Sequence, residues 1–359
     1  MKLKYKIING LEKYVPITIK YFFSRTFYSL YRIWVKERGY TITPDEEKEI
    51  RTFFSRYRPK IDLAAHKVYY NVTGNRDYRY IPDYLYYLYV DPFFNNNDVT
   101  LAFSDKNYYD MFMPFFRKPA VTVRRIGMEY YDADYTLIDE DKAYALIESD
   151  LQKQGELIVK PSFITGSGRK IVFITKEDNI RNIFSDYGSE DIVIQHVIKQ
   201  HEEMSKMHKN SINTIRIGTL LLNGEASVIS SVVRIGVDDN RMDNSHQGGI
   251  AVGIDENGHL RKYGYDQDGK RFEVHPQGYV FADGFIPSYD KVVERVLEGQ
   301  KLFPHYKLIN WDVAIDEEGE PVFVEFNLST AGIKCFQFCN GPLFGDRTSE
   351  ILDVVFHKK

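Results

Sequence analysis

Ile309-Asn310-Trp311-Asp312-Val313-Ala314-Ile315-Asp316-Glu317-Glu318-Gly319-Glu320-Pro321-Val322-Phe323-Val324-Glu325-Phe326-Asn327 has the pattern of a β-hairpin. Two apolar-rich runs flank an acidic turn with Gly319 near its tip. A turn at Glu318-Gly319 sets Asp312 directly opposite Glu325, with Cβ atoms roughly 5 Å apart. Asn327 falls two residues beyond Glu325, on the same face. Carboxylates so placed repel unless a cation neutralises them, and Mg²⁺ is held by one or two carboxylates plus substrate phosphates. The alternative is a solvated acidic hairpin.

The surrounding chain is that of an ordinary globular protein: 359 residues, 43% hydrophobic and 27% charged. Its length allows two or three domains. No run of about 18 apolar residues predicts a transmembrane helix. The N-terminus lacks an apolar core followed by a small-residue cleavage site, so no secretory leader is expected. The two cysteines, Cys335 and Cys339, do not make a disulfide framework or a zinc pair. A cytoplasmic protein is the expectation.

Charge is uneven. Residues 1–60 hold 14 Lys and Arg against 6 Asp and Glu, a net of +8, which leaves about −12 on the remainder. The basic part is also aromatic: Tyr21, Phe22, Phe23, Arg25, Phe27, Tyr28, Tyr31, Arg32 and Trp34. Such a segment suits the inner face of an anionic membrane, through residues 1–40, or packs on the body with a solvated basic face. Nucleic acid is not expected, because the rest of the chain is acidic.

Three regions follow from the patterning. Residues 1–100 read as mainly helical, with Thr43 or Asp45 capping a helix. Tyr84 to Tyr89 is compatible with helix or strand. Residues 101–198 hold short strands and one helix: Asp141 to Gln154 helical, then strands Leu157 to Pro161, Lys170 to Thr175 and Asp191 to Val197. Residues 199–359 are strand-dominated, with strands Thr214 to Leu222, Glu225 to Val237, Ile250 to Ile254, Trp311 to Ile315 and Val322 to Phe326. Helices are expected at Tyr289 to Leu302 and Phe344 to Val355.

Further candidate elements precede the hairpin. Leu157 to Ile174 reads strand, glycine-containing loop, strand, with Lys160-Pro161 closing the first strand and Gly166 and Gly168 in the loop. Glycine permits the backbone angles of a phosphate-cradling loop. The loop is not a Walker P-loop, because its spacing differs and a strand follows it. An ammonium ending an apolar strand calls for an anion. Ser104-Asp105-Lys106 opens an aromatic segment. Gln195-His196-Val197 ends an apolar strand. In Ser211 to Gly218, alternation puts Thr214, Arg216 and Gly218 on one face, and Arg234 is embedded in a further strand. An Arg so placed commonly pairs with an acid or a phosphate. His196, His201 and His246 do not form a metal-ligand spacing.

Taken in order, Asp105-Lys106, Val159-Lys160-Pro161 with its glycine loop, the strand ending at Gln195-His196, the arginine strand, Asp312 and Glu325-Phe326-Asn327 resemble the ATP-grasp superfamily. The run through Asn213-Thr214-Ile215-Arg216, Gly248-Gly249-Ile250, Trp311-Asp312 and Glu325-Phe326-Asn327 resembles its sugar-transfer-associated group, which is linked to surface-polysaccharide and teichuronopeptide synthesis. The resemblance covers about residues 101–345. It implies an α+β ATP-grasp fold, two lobes clamping ATP, here preceded by a helical region where many relatives begin with a Rossmann-like domain. By the same resemblance, Lys106 and Lys160 touch the ATP phosphates. Thr165, Gly166, Ser167 and Gly168 close over them. Gln195, His196 and Val197 hold adenine, mostly through backbone groups. Asp312, Glu325 and Asn327 bind two Mg²⁺ ions, with Glu325 bridging. Arg216 and Arg234 face the γ-phosphate and an acyl phosphate, and Ser329 to Gly332 lies near the carboxylate substrate. The implied activity is an ATP-dependent carboxylate–amine ligase, joining for example an amino acid to a sugar acid or an amino sugar. A phosphotransferase acting on a sugar or other hydroxyl would retain the same residues. A nucleotide-binding scaffold without turnover would not require the metal ligands.

Overall fold

The computed structural model describes residues 30–57, 60–163, 170–243, 248–329 and 331–357. Two antiparallel sheets carry the architecture. The first comprises β1 (Val121–Ile126), β2 (Glu129–Tyr131), β3 (Leu137–Ile138), β4 (Glu156–Pro161), β5 (Val172–Thr175) and β6 (Ile192–His196). Its order is β3-β2-β1-β6-β4-β5. The second comprises β7 (Thr214–Leu222), β8 (Glu225–Ile235), β9 (Ile250–Ile254), β10 (Leu260–Tyr265), β11 (Arg271–Phe272), β12 (Leu308–Ile315) and β13 (Pro321–Asn327). It runs β11-β10-β9-β8-β7-β12-β13.

Helices precede and cover the sheets. Residues 30–38 are helical. Helix α1 (Pro44–Phe54) starts at Thr43, whose Oγ1 accepts from the Glu46 amide while Glu46 Oε2 accepts from the Thr43 amide. This reciprocal pairing satisfies two donors that would otherwise be orphaned. Helices α2 (Ala64–Thr73), α5 (Lys334–Asn340) and α6 (Thr348–His357) share a core with it, in which Phe54, Val68, Tyr69, Tyr80, Tyr86, Phe336 and Ile351 are buried. Tyr84 to Tyr89 is helical and ends in a π-helical turn, Tyr86–Val90. Helix α3 (Glu140–Gln154) covers the small sheet with Ala143, Ile147 and Leu151. Helix α4 (Tyr289–Gln300) covers the large one with Val292 and Val296. Tyr109, Met113 and Phe116, just before β1, pack into the large sheet's core rather than the small one's.

The β12–β13 hairpin forms as expected, and Asp312 does face Glu325. The route to that pairing differs. The turn is centred on Glu318, with Ile315 opposite Pro321, Ala314 opposite Val322 and Val313 opposite Phe323. Continued unbroken, that register would set Asp312 against Val324. A bulge between Asp312 and Val313 takes up the extra residue. It therefore turns both Phe323 and Phe326 into the core and delivers Glu325 and Asn327 to the other face. A bulge changes which face a side chain occupies because strand side chains alternate with period two.

The sheets also touch through polar bridges. Arg241 forks onto Glu156 of β4 at 2.7 and 2.8 Å and lies 3.6 Å from the Phe173 ring centre. Arg117 pairs with Asp316 and Glu318 at the hairpin tip. Among the described residues no helix is long and apolar enough to cross a membrane. Of the N-terminal aromatic residues, Tyr31 and Trp34 are buried in the helical core, and Tyr21, Phe22, Phe23, Phe27 and Tyr28 lie outside the described residues.

Candidate active site

The site is built where the small sheet meets β12 and β13. On β12, Ile309, Trp311 and Val313 point into the core, so Asn310 and Asp312 point away from it. Gly218 of β7 lies opposite Asn310, and a Cβ there would come within 3.0 Å of Asn310 Oδ1, so glycine is what allows the amide its place.

Asp312 is fully buried, opposite Arg216 on one side and Glu325 on the other. Arg216 donates from Nε to Oδ1 at 2.8 Å and from Nη2 to Oδ2 at 2.7 Å. Arg234 Nη2 approaches Oδ2 at 3.2 Å, its hydrogen bonds go to Thr214 Oγ1, and its Nε lies 3.5 Å from Asp243 Oδ2. Burial works against the charged carboxylate, but Arg216 and Arg234 outweigh it and hold Asp312 below its ordinary range. The alternation that put Thr214 and Arg216 on one face is correct. The structure places both arginines on Asp312.

Lys106 and Lys160 reach the same place from the other side. Lys106 opens a single 3₁₀ turn whose first amide bonds Ser162 O at 2.8 Å, and its Nζ lies 3.7 Å from Glu325 Oε2. Lys160 is buried near the end of β4. Its ammonium is pulled down to about 8, by burial first and by Lys106 next, with Glu325 opposing. Two cations held together in a dry place are costly without an anion.

Gln195 and His196 close strand β6, paired with Ile158 and Leu157. The His196 amide donates to Ala120 O at 2.9 Å, and its ring meets Asp150 Oδ2 at 3.0 Å. Their backbone is committed to this pairing, so Val197 is the first residue past it. Val197, Ile198 and Lys199 line a cleft of about 220 Å³ against the hairpin tip Asp316–Glu318. A smaller cavity of about 20 Å³ adjoins it through Lys118 and Pro119 and leads to Lys106 and Gln195. Lys118 was not legible in the sequence. Its Nζ bonds Met113 O and Phe116 O, and burial lowers its pKa. Thr165, Gly166, Ser167 and Gly168 lie outside the described residues.

Asp312, Glu325 and Asn327 offer only oxygen donors on one face, which suits a hard cation such as Mg²⁺. Asp312 Oδ1 keeps a lone pair beyond its bond from Arg216 Nε, whereas Oδ2 already meets both guanidiniums. Among the described residues Asn327 Nδ2, Asn310 Nδ2 and Tyr109 Oη are buried without a hydrogen-bond partner. Buried polar groups normally have partners, so these point to ligand atoms. The set fits the ion, though among the described residues no group of three His, Cys, Asp or Glu side chains clusters.

Residues 176–352 match the family model described as sugar-transfer associated ATP-grasp. The match spans 177 of the 359 residues, just under half of the chain, and likens that part to the family. The ATP-grasp match takes in Gln195 to Val197, Arg216, Arg234, Asp312, Glu325 and Asn327; Lys106 and Lys160 precede it. Solved structures similar to the chain include a D-alanyl-alanine synthetase A from Vibrio cholerae, at 12% identity and TM-score 0.43, over 73% of this chain and 66% of that one. A D-alanine–D-alanine ligase from Bacillus anthracis complexed with ATP is 15% identical, with TM-score 0.40, over 71% and 65%. An L-amino acid ligase from Bacillus licheniformis is 14% identical, with TM-score 0.37, over 71% and 48%. The chain spans under two thirds of the length of each. No curated protein matches it.

Proposed function

We propose that this ATP-grasp protein is an ATP-dependent carboxylate–amine ligase that attaches an amino acid or similar group to a sugar-bearing substrate in surface-polysaccharide synthesis. The carrying observation is the convergence of Lys106 and Lys160 with Glu325, beside an Asp312 held by Arg216 and Arg234. A triphosphate would relieve the two lysines, and its adenine would occupy the cleft beyond Val197. The family's description supports a sugar-bearing substrate.

In the reaction, a substrate carboxylate oxygen attacks the γ-phosphorus of ATP and ADP leaves. An amine nitrogen then attacks the acyl phosphate carbon, inorganic phosphate leaves and the amine loses a proton. Phosphoryl transfer depends on positioning and charge neutralisation. Lys106 and Lys160 orient the phosphates. Arg216 fixes Asp312, and together with Arg234 supplies positive charge beside the acyl group. Two Mg²⁺ ions on Asp312, Glu325 and Asn327 would neutralise the phosphate oxygens. The loop at 165–168 would exclude water.

We assign residues 1–100, 101–198 and 199–359 as helical region, small lobe and large lobe, and place the enzyme at the cytoplasmic face of the membrane through its basic N-terminus. Purified protein with ATP, Mg²⁺ and pooled sugar acids and amino acids tests the activity by mass spectrometry. ADP and phosphate release that requires both a carboxylate and an amine, with an amide product, is expected. ADP release with a phosphorylated product would make it a phosphotransferase, and no nucleotide turnover would leave a scaffold.

A further inference from the structure

After β8 the chain leaves the large sheet and reaches across to the small one. The root of this segment is fixed. The Gly236 amide donates to Ser211 Oγ at 3.2 Å, and Gly236 O accepts from His275 Nε2 at 2.8 Å. Asp238 O accepts from His208 Nε2 at 2.9 Å and from Gln277 Nε2 at 3.1 Å. Its far end carries two side chains with separate targets. Arg241 forks onto Glu156 and lies over the Phe173 ring, 3.6 Å from its centre. Leu157 and Val159 pack under α3, so Glu156, Ile158 and Lys160 take the other face of β4. Phe173 is paired with Ile158. The Arg241 guanidinium therefore lies on the face of the small sheet that carries Lys160.

Asp243, two residues on, turns the other way. It is buried, and its Oδ2 accepts from the Thr214 amide at 3.0 Å and from the Thr214 hydroxyl. The same oxygen lies 3.5 Å from Arg234 Nε, while Arg234 Nη2 stands 3.2 Å from Asp312 Oδ2. Arg234 is thus shared between two carboxylates. Two residues of extended chain span at most about 7 Å, so the hold on Glu156 and the hold on Arg234 cannot shift independently. A bidentate fork stacked on an aromatic ring also holds better than an ordinary exposed ion pair.

We propose that residues 236–243 are a strap that couples the approach of the two sheets to the metal-ligand carboxylates, with Arg241 and Asp243 as positioning residues. While Arg241 grips Glu156, Asp243 keeps its share of Arg234. When the grip opens, Arg234 falls back on Asp312 and competes there with the cation. The proposal rests on the ligase function, which sets nucleotide and Mg²⁺ between the sheets, and goes beyond it by giving the approach of the sheets a route to the metal.

The Thr214 amide donates to Asp243, so its hydrogen exchange reports the strap without any ligand. In the nucleotide-free protein, Arg241→Glu should speed exchange of that amide several-fold, with the other β7 amides as reference. Adding Glu156→Arg reverses the pair and should bring the exchange back toward wild type. The two side chains are 43% and 32% exposed, so both proteins should keep the wild-type fold. Calorimetry of ATP at a series of Mg²⁺ concentrations reads the other end. Arg241→Glu should raise the Mg²⁺ needed for half-maximal ATP affinity several-fold, and Asp243→Asn in the same chain should add nothing, because both act through Arg234. Unchanged Thr214 exchange, a change that Glu156→Arg does not reverse, an unshifted Mg²⁺ requirement or an additive effect of Asp243→Asn overturns the proposal. A wild type that binds ATP and Mg²⁺ without carboxylate-dependent ADP release overturns the ligase function instead, and exchange and calorimetry still decide the strap.

Discussion

Arg216 holds Asp312 with two arms of one guanidinium, at 2.8 and 2.7 Å, in a place where the carboxylate has no exposed surface. Asp312 therefore balances two buried cations besides its proposed role as a metal ligand. Glu325, opposite it, keeps about a third of its side chain exposed. Equivalent substitutions at the two positions should separate. Glu325→Gln removes the charge of a proposed metal ligand from a partly solvated position, so thermal stability should hold while ATP turnover is lost. Asp312→Asn leaves the buried Arg216 without its two-armed partner and Arg234 with Asp243 alone, which should destabilise the fold by about 3–5 kcal/mol. Melting curves run beside ADP-release assays check both, and normal turnover in Glu325→Gln would remove the hairpin from the site.

Lys160 should show stability and binding moving in opposite directions. Its folded pKa of about 8 is below the usual 10.5 for lysine, so the unfolded chain binds the extra proton between those values. Stability of the nucleotide-free protein should then rise with pH across that window, and below about 8 the strain of the buried charge is fully present. Lys160→Met should stabilise the nucleotide-free protein at pH 7, by up to about 3 kcal/mol, yet weaken ATP binding because a charge-assisted phosphate contact is lost. Wild-type ATP affinity should also fall as pH rises through 8, and that fall should be absent in Lys160→Met. Calorimetric titrations at several pH values, with melting curves, measure both effects. Unchanged affinity in Lys160→Met contradicts the phosphate role.

The hairpin was legible in the sequence because its alternation and turn are local, and its carboxylate pair followed. The agreement at Asp312 and Glu325 nonetheless came from two departures that cancel: a turn centred one position earlier in the register and a bulge that restores it. Neither leaves a mark in the sequence, since a bulge is a property of two strands together. Strand β1 escaped notice because Arg124 and Arg125 occupy buried positions in it. Arg124 is satisfied by Asn107 O, Asp132 O, Ala133 O and the Asp110 carboxylate, partners visible only after folding. Tyr84 to Tyr89 resisted assignment because an unbroken run of tyrosine and leucine has neither helical nor strand period. Lys160 was found because a cation at the end of an apolar strand is anomalous by itself. Lys118, in a mixed segment, is not.

Asn95 should behave as a staple between the helical region and the hairpin. It is buried and serves the amide of Leu308 and the carbonyls of Leu308 and Leu328 at once. Asn95→Ala strands these groups and should lower stability by about 2–4 kcal/mol. Asn95→Asp should be no better, because a carboxylate cannot donate to two carbonyls. Denaturant midpoints give the comparison, and a change under 0.5 kcal/mol, about the scale of an ordinary surface substitution, would show that the staple is dispensable.

The basic N-terminus divides at Leu30. Tyr31 donates to Asp83 Oδ2 at 2.5 Å, Tyr69 donates to the same oxygen at 3.0 Å, and Trp34 is buried beside them. A chain beginning at residue 41 would lose Tyr31 and Trp34 and leave the buried Asp83 with one phenol fewer, so it should melt at a lower temperature or aggregate. A chain beginning at Leu30 keeps both residues and should melt with the full-length protein. Residues 1–29 carry six Lys and Arg against one Glu, and each basic residue near an anionic surface contributes about 1 kcal/mol, screened beyond a Debye length of roughly 8 Å. Full-length protein should therefore sediment with anionic liposomes at low salt and release at high salt, whereas the chain beginning at Leu30 should stay in the supernatant at both. Equal sedimentation of the two chains would remove the membrane role from residues 1–29, and a drop in melting temperature for the Leu30 chain would assign them to the core instead.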